Sequence, residues 1–238
     1  MRAIQEGEIH PLWIGDLCVH LYAIPSQFTW ESFTSNLTRE ETTYLHSLKN
    51  APRKREFACS RSLIRRITGS KSSLCKSSSG APLWPKNLTG SISHKNNLIA
   101  VSLSSDPKIQ ALGVDLEETI KVSEKISSRF FTSQENQLLT SLSPSFQQEG
   151  PEKIKRTWIA TFFSHKEALF KCYSRFLKKT HFLQASEVQN LCMQTYSISS
   201  FIKQTRITTQ GNYRYLKIKN KEYVLNLIKH PKSKPVEL

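Results

Sequence analysis

The chain has 238 residues, 38% hydrophobic and 22% charged, which suits a globular protein and excludes a disordered or fibrous one. Its 34 Lys and Arg against 19 Asp and Glu leave a formal net charge of +15. That excess calls for an anionic partner, whether nucleic acid, a membrane surface, a phosphorylated small molecule or an acidic protein, without choosing among them.

Cys18, Cys59, Cys75, Cys172 and Cys192 show no CxxC spacing, which argues against a zinc or dithiol site and fits a reducing compartment. The N-terminal MRAIQEGEIHPLW lacks the apolar core of a secretory signal. No run approaches the ~18 apolar residues of a membrane span, so a cytoplasmic protein is expected.

Along the chain, LCVHLYAI within residues 9–30 alternates apolar and polar side chains and predicts one or two strands. Residues 53–68, RKREFACSRSLIRRIT, predict a helix opened by Pro52, with Phe57, Leu63, Ile64 and Ile67 on one face. Arg53, Arg55, Arg61 and Arg65 flank that face, and Arg61 lies between apolar positions. The Ser-rich stretch 68–82 reads as an exposed loop. GSISH (90–94), LIAVSL (98–103) and ALGVDLE (111–117) predict three strands.

From about Glu152 to Lys179 the pattern is helical, with Trp158, Phe162 and Leu169 on an apolar stripe joined by Ile159, Phe163 and Phe170. The C-terminal YRYLKIKNKEYVLNLIKH predicts a hairpin turning near Asn220 and Lys221. Both halves mix strand and helix. We expect two α+β lobes, residues 1–107 and 108–238.

Two constellations bear on chemistry. In GVDLE, Asp115 and Glu117 are two residues apart on a strand, so both side chains leave one face. Such a pair suits a hard cation that takes one or two carboxylates and substrate phosphates. Taken alone, it equally suits a solvated acidic strand end. In FFSHKEALFK, Glu167 and Lys171 share a helix face at i and i+4, with Ser164 on the same side and the phenylalanines and Leu169 directed elsewhere. An exposed ion pair explains that spacing as well as a cleft-facing one. His94, after the strand-like SIS, suits a phosphate donor or a hydrogen-bonded buried imidazole.

The order EFACSRSLIR, GAPLWP, GSISH, GVDLE, FSHKEALFK resembles the 4′-phosphopantetheinyl transferases, in particular the type serving siderophore, peptide and polyketide synthetases. Both defining motifs, G-[IV]-D-x-E and [FW]-[ST]-x-K-E-[AS]-x-x-K, are complete as Gly113–Glu117 and Phe163–Lys171. The resemblance spans about residues 50–175. It implies an α+β fold of two similar lobes with pseudo-two-fold symmetry, each a small antiparallel sheet packed with helices, and coenzyme A bound between them. It implies transfer of the 4′-phosphopantetheine arm from coenzyme A to a serine of an acidic acyl or peptidyl carrier protein, releasing adenosine 3′,5′-bisphosphate, with Mg²⁺ as cofactor.

By that resemblance, Asp115, Glu117 and Glu167 are Mg²⁺ ligands, and Glu167 is also the general base. Lys171 is placed at the pyrophosphate, while Arg61, His94, Ser93 and Arg53 contact coenzyme A. A monomer is expected, without nucleic-acid or membrane partners. Many relatives carry a basic residue where this chain has Ala81; His165 has no assigned role, and Glu118 points to the other strand face from Glu117. From charge alone, a basic nucleic-acid-binding module without enzymatic activity remains an alternative, although no recognised nucleic-acid motif occurs.

Overall fold

The structure is a computed structural model that describes residues 4–77, 80–121, 124–142, 150–174, 176, 186–192, 196–202 and 207–231. The first sheet contains β1 (Ile9–Ile14), β2 (Leu17–Ala23), β3 (Thr89–Lys95) and β4 (Leu98–Ser104), in the antiparallel order β1-β2-β4-β3. Between β2 and β3 come α1 (Trp30–Thr34), α2 (Arg39–Ser47) and α3 (Ala51–Thr68). The second sheet contains β5 (Ile109–Glu118), β6 (Ser186–Cys192), β7 (Ser197–Ile202), β8 (Ile207–Ile218) and β9 (Lys221–Pro231), ordered β5-β9-β8-β7-β6 and also antiparallel. A 3₁₀ turn (Thr119–Lys121), α4 (Glu124–Phe130), α5 (Ser133–Leu142) and α6 (Pro151–Tyr173) lie between β5 and β6.

Alternation along the strands sorts the core into layers. Leu17, Val19, Leu21, Leu98 and Ala100 of the first sheet form one cluster with Leu112, Val114, Leu116, Leu225 and Leu227 of the second. Tyr22, Ile99 and Val101 point the other way and meet Phe57, Leu63 and Ile64 of α3. On the far side of the second sheet, Val224 packs with Trp158, Ile159 and Phe162 of α6. Ala111 and Ile228 meet Ala168, Leu169 and Cys172 farther along the same helix. The sequence of layers is therefore α3, first sheet, second sheet, α6.

Chain chemistry fixes the helix ends. Asn50 caps α3 by accepting the Arg53 amide, Pro52 sits in the first turn, and Gly69 ends the helix at φ +68°. Thr38 and Glu41 form a capping box on α2. α6 ends at Tyr173, earlier than expected; of the predicted continuation to 179, Ser174 and Phe176 are described, outside the helix, and the rest lies outside the described residues. Phe170 departs from the expected apolar stripe, being 37% exposed. The loop after α3 is also less exposed than expected, because Leu74 is buried in the α3 cluster. The C-terminal hairpin turns at Lys219 and Asn220, with Lys219 at φ +54°.

Candidate active site

β3 and β5 edge different sheets yet run side by side, joined by hydroxyl groups. Ser91 Oγ accepts the Val114 amide at 2.9 Å, and Ser93 Oγ accepts the Leu116 amide at 3.2 Å. Each hydroxyl stands where a strand carbonyl would, so β5 is held in register against the first sheet.

Leu112, Val114 and Leu116 turn into the shared core. Alternation therefore directs Gly113, Asp115 and Glu117 toward α6. A Cβ at Gly113 would lie 1.9 Å from the Ala168 carbonyl oxygen, so only glycine permits this approach. The residue before Ala168 and the one three after it carry the remaining charged groups, Glu167 and Lys171.

Asp115 is 5% exposed. Its Oδ1 accepts from Ser93 Oγ at 2.9 Å and from Lys171 Nζ at 2.7 Å, whereas the buried Oδ2 has no partner. Lys171 Nζ also donates to Ser93 Oγ and the Val114 carbonyl, both at 3.1 Å. Glu117 is paired with Lys95. Burial, then the neighbouring Asp115, raises the Glu117 pKa despite that lysine. Burial pushes Glu167 up to about 7, reinforced by Asp115 and Glu117 and opposed by Lys171. The two strand acids thus act electrostatically on the helix acid. Among the described residues, however, no three His, Cys, Asp or Glu side chains are already disposed around one point; lysines hold the strand carboxylates instead.

Asp115, Glu117, Lys95 and Lys171 border a cleft of about 540 Å³ reached by α3, β3, β5 and α6. Across it lies Arg61, 3% exposed, with its guanidinium 4.3 Å above the Phe57 ring. Its Nε donates to the Leu74 carbonyl and its Nη1 to Ser60 Oγ, both at 3.2 Å, while buried Nη2 has no partner. Burial lowers its pKa to about 10, so the group keeps its charge at neutral pH. His94 Nδ1 lies 3.1 Å from a Glu56 oxygen, and Arg53 reaches His94 Nε2. The cleft thus has an acidic end and a basic end, with a buried unpaired polar atom at each.

The model of the 4′-phosphopantetheinyl transferase superfamily matches residues 111–228, and that of the 4′-phosphopantetheinyl transferase N-terminal domain matches residues 43–104. The chain belongs to the 4′-phosphopantetheinyl transferase superfamily. No curated protein matches it. Among solved structures, holo-[acyl-carrier-protein] synthase of Thermotoga maritima is similar at 18% identity, over 50% of this chain and 63% of that one, with a TM-score of 0.31. The chain thus spans less than two thirds of that protein's length.

The transferase motifs now divide by physical task. Lys166 is wholly buried and donates to both Glu135 oxygens, at 3.0 and 2.8 Å, and to the Phe130 carbonyl at 3.0 Å. Glu135 also accepts the Val188 amide at 2.8 Å, so this motif lysine ties α6 to α5 and β6 and takes no part in the cleft. His165 is wholly buried, with neither ring nitrogen hydrogen-bonded, and burial drives its pKa down to about 3. Asn226 is its polar neighbour without reaching hydrogen-bond geometry. The ring packs where Gly211 leaves room, since a Cβ there would sit 2.9 Å from His165 Cε1. Glu118 contacts Asn96 and lies 3.9 Å from Lys221, away from Asp115.

Of the residues that the resemblance assigns to metal or coenzyme A, Arg53, Arg61, Ser93, His94, Asp115, Glu117 and Lys171 border the cleft; Glu167 does not, and is linked to it electrostatically, while Ser164, His165 and Glu118 lie away from it. Ser93 is placed between the acids and Lys171, with its proton and lone pairs already engaged. Phe170, assigned from the sequence to a direction away from Lys171, instead borders the cleft beside it. Sequence reasoning missed Ser91, Lys95 and Lys76. The signal for two of them was present: Ser91, Ser93 and Lys95 alternate and so share one face of β3. Lys76 forms an isolated bridge with Pro82, next to Ala81, and borders the same cleft.

Proposed function

We propose that the protein transfers the 4′-phosphopantetheine arm of coenzyme A to a serine hydroxyl of an acyl or peptidyl carrier protein. Adenosine 3′,5′-bisphosphate is the leaving product, and Mg²⁺ is the cofactor. The observation that carries this reading is one cleft holding both the carboxylates of Asp115 and Glu117 and the buried guanidinium of Arg61, each end with an unsatisfied polar atom.

The donor set at the acidic end fits Mg²⁺: carboxylate oxygens only, one of them, Asp115 Oδ2, buried and unpaired. Asp115, Glu117 and Glu167 would hold the ion, which neutralises diphosphate charge and the charge developing on the leaving group. Lys171 adds a fixed point charge beside Asp115 and pairs with a phosphate oxygen. Arg61, Arg53 and His94 bind the remaining phosphate charge at the basic end, with Lys76 in place of a basic residue at Ala81.

The serine oxygen attacks the diphosphate phosphorus that bears the pantetheine arm. A new P–O bond forms as the bond to the bridging oxygen breaks, and the nucleotide departs with that oxygen. Glu167 takes the serine proton, through a water where its carboxylate also serves the metal. In the metal-free protein burial raises its pKa to about 7; a bound cation would lower it, so the relaying water would carry the proton on. The positive surface favours encounter with an acidic carrier, and the protein acts as a monomer.

The test is intact-mass analysis of several apo carrier proteins incubated with coenzyme A, Mg²⁺ and the protein. At least one carrier should gain the phosphopantetheine mass. Asp115→Asn should lower the rate about 10²–10³-fold without loss of fold by circular dichroism. No mass gain across acyl, peptidyl and polyketide carriers would contradict the reading.

A further inference from the structure

Residues alternating along β3 lie against β5. Ser93 donates to Asp115, and two residues on, Lys95 pairs with Glu117. From the opposite side, α6 brings Lys171 to Asp115 at 2.7 Å. Each acid of β5 therefore holds an ammonium group from a different element. Both ammonium groups border the cleft, and the side chains of Lys95 and Lys171 remain 30% and 27% exposed, although Lys171 Nζ also donates to Ser93 and the Val114 carbonyl. Their long stems allow the charges to swing while the backbone stays fixed.

Charge balance gives this pairing a consequence. Three carboxylates, Asp115, Glu117 and Glu167, face two ammonium groups, which leaves one net negative charge when all are ionised. A divalent ion arriving alone competes with the two ammonium groups for the strand acids and, with both lysines still at the site, leaves it net positive. Unlike charges a few ångströms apart in a partly buried site attract one another strongly, so drawing the ammonium groups off the acids is costly. A diphosphate arriving at the same time gives the displaced ammonium groups new anionic partners and restores the balance.

We propose that Lys95, together with Lys171, makes divalent-ion binding conditional on the diphosphate: the two lysines hold the β5 acids until a phosphorylated ligand draws them away. This rests on the reading of the cleft as a coenzyme A site. Lys95 is then a binding residue twice over, a counter-ion to Glu117 before the ligand arrives and a diphosphate contact afterwards. Linkage requires the converse as well, so that the metal strengthens coenzyme A binding by the same factor.

Calorimetric titration of Mg²⁺ into the protein, alone and saturated with coenzyme A, reads the coupling directly. The wild-type protein should bind Mg²⁺ roughly 5- to 150-fold more tightly when coenzyme A is present. Lys95→Gln should bind Mg²⁺ alone more tightly than the wild type and show a smaller ratio, while Lys95→Arg should keep the wild-type ratio. Near-UV circular dichroism checks that the variants are folded. A wild-type ratio near one overturns the inference whatever the variants do. An unchanged ratio in Lys95→Gln overturns it while leaving the proposed function standing, whereas absence of any coenzyme A binding removes both.

Discussion

Asp115 shows how a carboxylate becomes available for chemistry. Its Oδ1 accepts from Ser93 and Lys171, which fixes the side chain, and this leaves the buried Oδ2 without a partner. Burying an oxygen that way costs about 1–3 kcal/mol, so the fold maintains it against its own stability. Glu167 carries a related cost. Its folded pKa, about 7, stands above the ordinary value of 4.5, chiefly through burial. The folded state therefore holds more protons than the unfolded one across that window. Stability present below the unfolded pKa is lost as pH rises through about 7. The melting temperature of the metal-free protein should accordingly fall between about pH 5 and pH 7.5, and Glu167→Gln should flatten that slope. An equal slope in the variant would show that Glu167 is not the group responsible.

At the scale of elements, the site depends on how closely β5 approaches α6. Gly113 sets that distance, because any side chain there would collide with the Ala168 carbonyl. Gly113→Ala should therefore destabilise the protein by about 3 kcal/mol, seen as a lower urea midpoint. It should also disturb the pairing of Lys171 with Asp115. An unchanged midpoint would mean that helix and strand can separate freely. β5, α6 and the β8–β9 hairpin were legible in the sequence because their periodicity is strong and their apolar faces are continuous. β7 was not read from the sequence, since SISSFI is short and rich in serine, although alternate residues Ile198, Ser200 and Ile202 are all buried. α2 was overlooked despite a capping box spelled out by Thr38 and Glu41. Phe170 was misplaced because an apolar side chain next to a cleft obeys the same helical period as one in the core.

For the whole molecule, the decisive feature is a seam between sheets. An apolar cluster drawn from both sheets packs them together, while Ser91 and Ser93 tie β3 to β5. The basic helix α3 and the acidic strand β5, distant in sequence, border one cleft beside that seam. Periodicity could place Asp115 and Glu117 on one strand face and Glu167 and Lys171 on one helix face. It could not bring the two faces together, since that depends on which way each strand turns against the core. Nor could it identify Lys95, because a lysine following a histidine at a strand end looks like any solvated charge. Among the described residues no helix is long and apolar enough to cross a membrane. The net charge of +15 then has a local meaning as well as a general one: part of it lines the cleft, where Arg53, Arg61, Lys76, Lys95 and Lys171 surround the space a phosphorylated ligand would take. The most direct test is a crystal grown with coenzyme A and Mn²⁺, read by anomalous scattering. The account predicts one strong peak bonded to Asp115, Glu117 and Glu167, with the diphosphate beside it and a phosphate against Arg61. A peak elsewhere, or coenzyme A bound outside this cleft, would contradict it.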